Sequence, residues 1–212
     1  MFDRDRQGFI AAHALKRLML AIETGIAATA WKFETAPGGK PYALPQNETP
    51  PFFNLSHCDG LVACALSRTD PSGIDVECSD RHAPFAVAER HYAPEEQAWL
   101  ATLPEAERQT GFFMLWTLKE AFIKATGKGL AQPLRDIIVG FDPLRVHFND
   151  TLAAAFGDPT DWRFEQSQIG PRHLFAVAWR GPARVMCRTI RLDWLLERAT
   201  ENTPGLAAIV AE

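Results

Sequence analysis

The feature that most constrains the fold of this chain is a largely apolar segment, residues 113–130, with charged side chains inside it. Its large apolar residues recur with a helical period and cover more than a single stripe. Glu120 and Lys124 are four residues apart, so a helix places them on adjacent turns of one face, which Trp116 shares. Gly127 predicts the end of the helix, because glycine accepts the left-handed backbone of a C-terminal cap.

Two interpretations of the Glu120–Lys124 pair are open on this evidence. A solvent-exposed pair would stabilise the helix by a few tenths of a kcal/mol and have no further role. A functional pair is favoured by the large apolar neighbours, because buried charges cost several kcal/mol unless a partner compensates them.

A second acidic pair lies in the segment Gly-Ile-Asp-Val-Glu at residues 73–77. Alternation along a strand places Asp75 and Glu77 on one face and the two aliphatic side chains on the other. Two carboxylates so close raise each other's pKa, and a hard divalent cation relieves that conflict. Magnesium binds where carboxylates meet substrate phosphates. The alternative is the solvent-facing edge of a half-buried strand.

The length, composition and net charge of the chain limit the kinds of protein that it can be. The 212 residues suit one sizeable domain or two small subdomains, and 47% apolar with 23% charged residues is typical of globular proteins. A net charge of −4 gives no indication of nucleic-acid binding. No apolar run approaches the ~20 residues of a membrane span, and charged residues interrupt any N-terminal signal sequence. We therefore expect a cytoplasmic protein.

The four cysteines form no C-x-x-C pair, and no group of cysteine and histidine has the spacing of a zinc site. We expect them to be reduced and mostly buried. They are Cys58, Cys64, Cys78 and Cys187.

Periodicity and turn residues predict the remaining elements in chain order. A helix is expected over residues 5–24, a turn or loop over 36–42, and a hairpin from the apolar runs 50–57 and 61–66, with Ser56-His57 at its tip. A helical region with breaks is expected over 81–110, with a second helix leading into the segment 113–130, and strands are expected near 137–139, 163–166 and 174–179, the last two as an antiparallel pair. The apolar patches 190–196 and 206–210 have no firm assignment, and the final dozen residues are expected to be disordered.

Several polar residues are ambiguous when taken alone. Arg17, beside the apolar stripe of the first helix, and Lys40, between a glycine and a proline, are as compatible with solvated side chains as with phosphate ligands. Ser56 and His57 make a poor hydrolase dyad, because neighbours on a strand point to opposite sides and no G-x-S-x-G motif is present.

In chain order, Ser56-His57, the 73–77 segment and the segment Trp116–Lys124 resemble the 4′-phosphopantetheinyl transferases, specifically the larger surfactin-synthetase-activating type. The resemblance extends from about Arg4 to Pro143. It implies an α+β fold of two similar α/β subdomains with a pseudo-twofold relation, antiparallel sheets packed with helices, and an active site in the cleft between them. The expected subdomains are residues 1–72 and 73–212.

The resemblance also implies an activity and a set of site residues. Family members move the phosphopantetheine arm of coenzyme A to a serine of a carrier protein and release adenosine 3′,5′-bisphosphate. A magnesium-dependent, monomeric holo-carrier synthase is therefore expected. The implied magnesium ligands are Asp75, Glu77 and Glu120. The implied catalytic residues are Glu120, as the base, and Lys124. The implied coenzyme A ligands are Arg17, Lys40, Ser56, His57, Lys119 and Lys124.

One departure and two alternatives accompany this interpretation. Family members usually begin with a strand and a basic segment, whereas this chain starts at the first helix, so the first sheet is expected to be one strand short. The alternatives are a coenzyme A or carrier-binding module with impaired turnover and an unrelated metal-dependent phosphate enzyme. Carrier docking is expected around residues 127–130 and Lys128, through basic and apolar contacts. The sequence does not indicate the pathway.

Overall fold

The computed structural model describes residues 3–45, 49–191 and 193–194, and in this part the chain has an α+β fold. The helices are α1 (Asp3–Thr24), α2 (Phe85–His91), α3 (Pro94–Thr102), α4 (Glu105–Thr126) and α5 (Asp150–Phe156). The strands are β1 (Phe33–Thr35), β2 (Pro41–Ala43), β3 (Phe52–Cys58), β4 (Leu61–Ser67), β5 (Ser72–Cys78), β6 (Ile137–Gly140), β7 (Arg145–Phe148), β8 (Trp162–Ile169) and β9 (His173–Arg180). None of the helices in these ranges is long and apolar enough to span a membrane.

Helix α4 is the centre of the C-terminal half. It is one continuous helix of 22 residues, which includes the second helix predicted to lead into residues 113–130 and the helical part of that segment. A turn at Leu103-Pro104 separates it from α3, so the predicted breaks within 81–110 are confirmed. As predicted, the helix ends at Gly127, whose φ of 69° is left-handed and whose N–H donates to Ile123 O at 2.9 Å. Its buried side chains include Phe112, Phe113, Leu115, Leu118 and Phe122.

Helix α4 packs on a three-stranded antiparallel sheet of order β5-β9-β8. The predicted antiparallel pair at the end of the chain is thus confirmed as β8 and β9, and the predicted 73–77 strand as β5. In the register of this sheet Asp75 pairs with Ala176 and Glu77 with Leu174. The sheet therefore fixes the position of both acids along β5.

The backbones of β5 and α4 touch directly at Gly73. A Cβ atom at this position would lie 1.9 Å from Ala121 O and 2.4 Å from Ala125 N, which no side chain can tolerate. The absence of a side chain therefore lets the strand approach the helix closely. This approach brings the acids of β5 to the same place as the charged residues of α4.

The N-terminal half repeats part of this plan, with the 22-residue helix α1 packed against the hairpin of β3 and β4. Its small core contains Leu20, Trp31, Ala43 and Phe53. The predicted hairpin is confirmed. The prediction that Ser56-His57 lies at its tip is wrong, because β3 continues to Cys58 and the turn is Asp59-Gly60. The glycine, with a φ of 80°, supplies the left-handed residue of that turn.

The two halves meet along β3 and β5 through side chains. Asn54 Oδ1 accepts a hydrogen bond from Ile74 N at 2.8 Å, and Ser56 Oγ accepts one from Val76 N at 3.2 Å. The edge of β5 that does not pair with β9 is thus satisfied by alternate side chains of β3. The boundary at residue 72 stays a prediction. The predicted apolar patch 206–210 lies outside the described residues, as do residues 192, 195 and 196 of the patch 190–196 and the final dozen residues, whose disorder was predicted.

Lys119 lies in the core of the C-terminal half and not in a cleft, which corrects its prediction as a coenzyme A ligand. Its side chain is fully buried, and its ammonium is 2.8 Å from Glu96 Oε2. It also donates to Leu134 O at 2.9 Å and to Ile137 O. These three acceptors use all three of its hydrogens. Burial lowers the pKa of Lys119 and raises that of Glu96, each against the opposing effect of its partner.

We expect Gly73→Ala to destabilise the protein, by about 1–3 kcal/mol or more, because the added methyl group overlaps the backbone of α4. Gly140→Ala is the matched control, since a Cβ there meets nothing within 4 Å, and it should change stability by less than about 0.5 kcal/mol. Urea denaturation of both variants measures the difference. Equal stability of the two would contradict the close packing of β5 on α4.

Lys119→Met should lower the free energy of unfolding by about 3–5 kcal/mol, because it leaves the buried Glu96 carboxylate without its cation. Adding Glu96→Gln should restore part of that loss, and Lys128→Met on the exposed side of the same segment serves as control. Thermal melting of the single and double variants tests this. Additive losses would show that the two side chains do not act as a pair.

Candidate active site

Asp75 is a buried carboxylate at the junction of β3, β5 and α4, with 4% of its surface exposed. Its Oδ1 accepts hydrogen bonds from Lys124 Nζ at 2.6 Å and Ser56 Oγ at 3.0 Å. Its Oδ2 is buried and has no hydrogen-bond partner among the described residues. Burial raises the pKa of Asp75, although the Lys124 ammonium opposes the rise. The alternative of a solvent-facing strand edge is therefore wrong for this residue.

Glu77 and Glu120 share the electrostatic environment of Asp75. Burial raises the pKa of Glu77, and the charge of Asp75 raises it further, while Arg81 at 2.8 Å opposes this. The pKa of Glu120 is raised to about 7, first by burial and then by the charge of Asp75, with Lys124 opposing and Glu77 adding. Charges influence one another's pKa in this way only within one region of a protein. Asp75, Glu77 and Glu120 therefore lie in one region, and their shared role as metal ligands stays a prediction.

The chemistry of this acidic group fits a hard divalent cation. The three carboxylates supply only oxygen ligands. The buried Oδ2 of Asp75 receives no hydrogen bond from the described residues, and a cation would provide the positive partner that this oxygen lacks. In the described part of the chain, however, Asp75, Glu77 and Glu120 do not form a set of oxygens that all lie within 4.8 Å of one another. Lys124 forms an ion pair with Asp75, and Arg81 forms one with Glu77. A shared ion thus requires the three side chains to draw closer.

Lys124 brings a positive charge to the same place. Its ammonium lies 2.6 Å from Asp75 Oδ1 and 2.9 Å from Ser56 Oγ, and 27% of its side chain is exposed. It therefore bonds the acid of β5 directly rather than Glu120, its neighbour one helical turn away. These two contacts account for two of its three hydrogens, and its partly exposed position suits contact with an anionic ligand.

Ser56 and His57, predicted as a pair of coenzyme ligands, point to opposite sides of β3. Ser56 is buried and links Asp75, Lys124 and Val76. His57 is exposed and lies beside α1, where a Cβ on Gly8 would be 3.7 Å from its ring. A shared contact of both side chains with one ligand group does not fit this geometry, whereas His57 alone stays a predicted coenzyme ligand.

Lys40 and Arg17, the other predicted coenzyme ligands, bond to backbone carbonyls. Lys40 Nζ donates to Lys124 O at 2.6 Å, Ala125 O at 3.1 Å and Ser72 O at 3.3 Å, and burial lowers its pKa to about 8. It therefore caps the end of α4 from the loop between β1 and β2.

Arg17 Nη1 donates to Ala28 O at 2.8 Å and Trp31 O at 2.9 Å, which fixes the segment after α1. All three ammonium hydrogens of Lys40 and one guanidinium nitrogen of Arg17 are therefore engaged in hydrogen bonds to the backbone, which stabilise the fold. Their role in coenzyme binding stays a prediction.

Sequence reasoning missed three residues that shape the site: Asn54, Arg81 and Glu96. Arg81 is four residues after Glu77, but β5 ends between them, so no helical spacing rule pointed to their ion pair. Glu96 was not singled out by any sequence pattern. Its Oε2 accepts from Ala93 N at 2.8 Å and its Oε1 from Val139 N at 2.8 Å. The second contact is 43 residues away, and nothing local signals it.

Comparison with known proteins agrees with this geometry. The sequence pattern of the 4′-phosphopantetheinyl transferase superfamily matches residues 71–179, just over half of the chain. A putative 4′-phosphopantetheinyl transferase of Synechocystis sp. is 27% identical over 183 residues, which cover 83% of this chain and 73% of that protein. The 4′-phosphopantetheinyl transferase HetI of Nostoc sp. is 35% identical over 147 residues, covering 67% and 60% respectively.

A further relative and a solved structure complete the comparison. The 4′-phosphopantetheinyl transferase Sfp of Bacillus subtilis is 36% identical over 154 residues, covering 71% of this chain and 64% of that protein. The crystal structure of Thermotoga maritima holo-[acyl-carrier-protein] synthase overlaps 53% of this chain and 64% of its own, at 23% identity and a TM-score of 0.43, too little to support a conclusion. The chain spans 60–73% of the length of these three relatives. Since the superfamily pattern covers over half of the chain and includes all three acids and Lys124, this chain belongs to the 4′-phosphopantetheinyl transferase superfamily.

Proposed function

We infer that this protein transfers the 4′-phosphopantetheine arm of coenzyme A to a serine of an acyl or peptidyl carrier protein, with Mg²⁺ as its metal. Family membership supports the transfer. The observation that supports the chemistry is the convergence of two carboxylates from β5 with one from α4, next to the ammonium of Lys124. The similarity to Sfp of Bacillus subtilis supports the prediction that the chain is of the larger, surfactin-synthetase-activating type.

The reaction places specific demands on the site. The serine hydroxyl attacks the phosphorus that bears the phosphopantetheine arm, the pyrophosphate bond breaks, and adenosine 3′,5′-bisphosphate leaves. Catalysis consists of positioning the two reactants, neutralising phosphate charge and removing one proton. Asp75, Glu77 and Glu120 would hold a magnesium ion, which when bound supplies Lewis-acid stabilisation of that charge. Lys124, fixed beside Asp75, adds a positive charge from the protein itself.

Glu120 is the proposed general base. In the metal-free protein, burial and the charge of Asp75 raise its pKa to about 7, and a bound cation would lower it again. A positioned general base contributes about 10²–10⁴-fold to the rate. Of the three acids, it is the one that α4 contributes, so it approaches the site from a different element than Asp75 and Glu77.

The carrier-protein contact, the oligomeric state and the cellular location of the enzyme are also proposals. The exposed Lys128 follows the last residues of α4, close to the site, and offers a basic contact for an acidic carrier protein. We propose that one chain carries the whole site and acts as a monomer in the cytoplasm. Size-exclusion chromatography with light scattering tests the first part of this statement.

We expect Glu120→Gln to lower transfer by about 10²–10⁴-fold, because it removes both a base and a metal ligand. The assay incubates the protein with coenzyme A, Mg²⁺ and an apo-carrier, and intact mass detects the gain of one phosphopantetheine arm. Glu107→Gln, an exposed glutamate on the same helix, should transfer at the wild-type rate. EDTA should stop the wild-type reaction, and added Mg²⁺ should restore it.

Calorimetric titration with coenzyme A separates chemistry from binding in that experiment. Coenzyme A should still bind Glu120→Gln, since the fold and Lys124 are unchanged. Wild-type turnover by this variant would remove Glu120 from the proposed role. No mass gain from the wild-type protein with several carriers, together with intact coenzyme A binding, would instead identify a binding module without turnover.

The raised pKa of Glu120 also predicts how stability depends on pH in the metal-free protein. The folded-state pKa lies above the unfolded value of 4.5, so the charged form disfavours folding, and stability falls as pH rises from about 4.5 through 7. In EDTA, Glu120→Gln should therefore be more stable than wild type above pH 7, by up to about 3 kcal/mol, and nearly equal at pH 4. Thermal melting across this range measures the difference. A constant difference at all pH values would contradict the burial of this carboxylate.

A further inference from the structure

A second group of metal-ligating side chains lies where three strands meet, outside the acidic site. Cys58 is the last residue of β3, Cys78 the last of β5, and His173 the first of β9. One donor atom from each residue lies within 4.8 Å of the other two. Cys78 and His173 are direct partners in the register of the sheet, and the hairpin of the N-terminal half supplies Cys58.

The donor set differs in kind from the acidic site. Two thiolates and an imidazole are ligands for Zn²⁺, whereas Mg²⁺ prefers carboxylate and water oxygens. Four-coordinate zinc with Zn–S bonds of about 2.3 Å places its ligand atoms roughly 3–4 Å apart, which is compatible with donor atoms that all lie within 4.8 Å of one another. Three ligands leave one coordination position for water or an external ligand. Cys58 and His173 are partly exposed, so an ion has access from solvent.

The surroundings hold the three side chains in place. In its thiol form Cys78 donates to the carbonyl oxygen of Asp59 at 3.3 Å, a contact that ends when the thiol gives up its proton to a metal ion, and the same oxygen lies 2.8 Å from His173 Nε2. Arg172 Nη2 is 3.7 Å from Cys78 Sγ. The guanidinium of Arg172 is paired with Asp59 at 3.0 Å and with Asp80 at 3.1 Å.

We propose that Cys58, Cys78 and His173 bind one zinc ion. The ion ties the end of β3 in the N-terminal half to β5 and β9 in the C-terminal half. Its function is to fix this end of the junction, directly after Glu77 on β5, and it takes no part in the magnesium chemistry. The positions 58, 78 and 173 have no zinc-type spacing, which is why the sequence analysis rejected a site of this kind and expected only isolated thiols.

The two cysteines outside the cluster define the reference protein and the control variant. Cys187 is exposed and could bind metal by itself, so Cys187→Ser is the reference protein. Cys64, on β4, lies outside the cluster, and Cys64→Ser is the matched control. The test variants are Cys58→Ser and His173→Gln, because both side chains are only partly buried, whereas replacing the buried Cys78 endangers the fold.

The experiment titrates EDTA-treated, reduced protein with Co²⁺, whose thiolate charge-transfer absorption reports cysteine ligands. We expect one equivalent to bind, to be displaced by one equivalent of Zn²⁺, and to resist excess Mg²⁺. Cys58→Ser and His173→Gln should bind more than about 100-fold more weakly, since even outer-shell partners of a metal contribute 10–100-fold. Cys64→Ser should match the reference. Absence of the charge-transfer absorption, or unchanged titrations of both test variants, would overturn the proposal.

A second measurement needs no substitution in the cluster. Zn²⁺ should slow alkylation of Cys58 by iodoacetamide in the wild-type protein, while exposed Cys187 stays reactive, as read from the modified peptides by mass spectrometry. Equal alkylation of Cys58 with and without Zn²⁺ would refute the site independently of any folding defect. Transferase activity is not part of either readout, so failure here leaves the proposed function untouched.

Discussion

The structure depends on the burial of one carboxylate, that of Asp75, where the two halves of the chain meet. A buried charge is tolerated only when partners surround it, and here they come from separate elements: Ser56 from β3 and Lys124 from α4. Gly73 lets β5 approach α4 closely enough for the second of these contacts. The arrangement of the sheet, the helix and the hairpin is therefore tied to the same point at which the chemistry is proposed.

Much of the fold and the acidic part of the site followed from local patterns. Alternation along β5 identified Asp75 and Glu77, helical spacing identified Glu120 and Lys124, and a glycine marked the end of α4. Such patterns span only a few residues, so they are legible in one sequence. The errors occurred where a boundary had to be chosen: the hairpin tip was placed at Ser56-His57, although β3 continues to the Asp-Gly turn.

The basic residues show why the rest of the site was not predictable. Lys40, Lys119 and Arg17 were all predicted as coenzyme A ligands, yet each bonds to the carbonyls of a specific segment. Lys40 reaches carbonyls 84 and 85 residues away, and Lys119 pairs with Glu96 in the core. Whether an ammonium meets solvent, a ligand or a carbonyl is decided by tertiary contacts that leave no mark on nearby residues. The cysteine–histidine cluster, which joins three distant positions, was invisible for the same reason.

The way in which β3 meets β5 has a mechanical consequence. A backbone ladder resists sliding along its whole length, but Asn54 and Ser56 join the strands through three side-chain hydrogen bonds, to Ile74 N, Val76 N and Asp75 Oδ1. Small shear between the halves therefore disturbs neither sheet internally. Asp75, Glu77 and Glu120 all lie in the C-terminal half, so such a shear moves Ser56 relative to Asp75 and Lys124 without separating the three acids. The stiffness of this seam can evolve through Asn54 and Ser56 while both sheets stay intact.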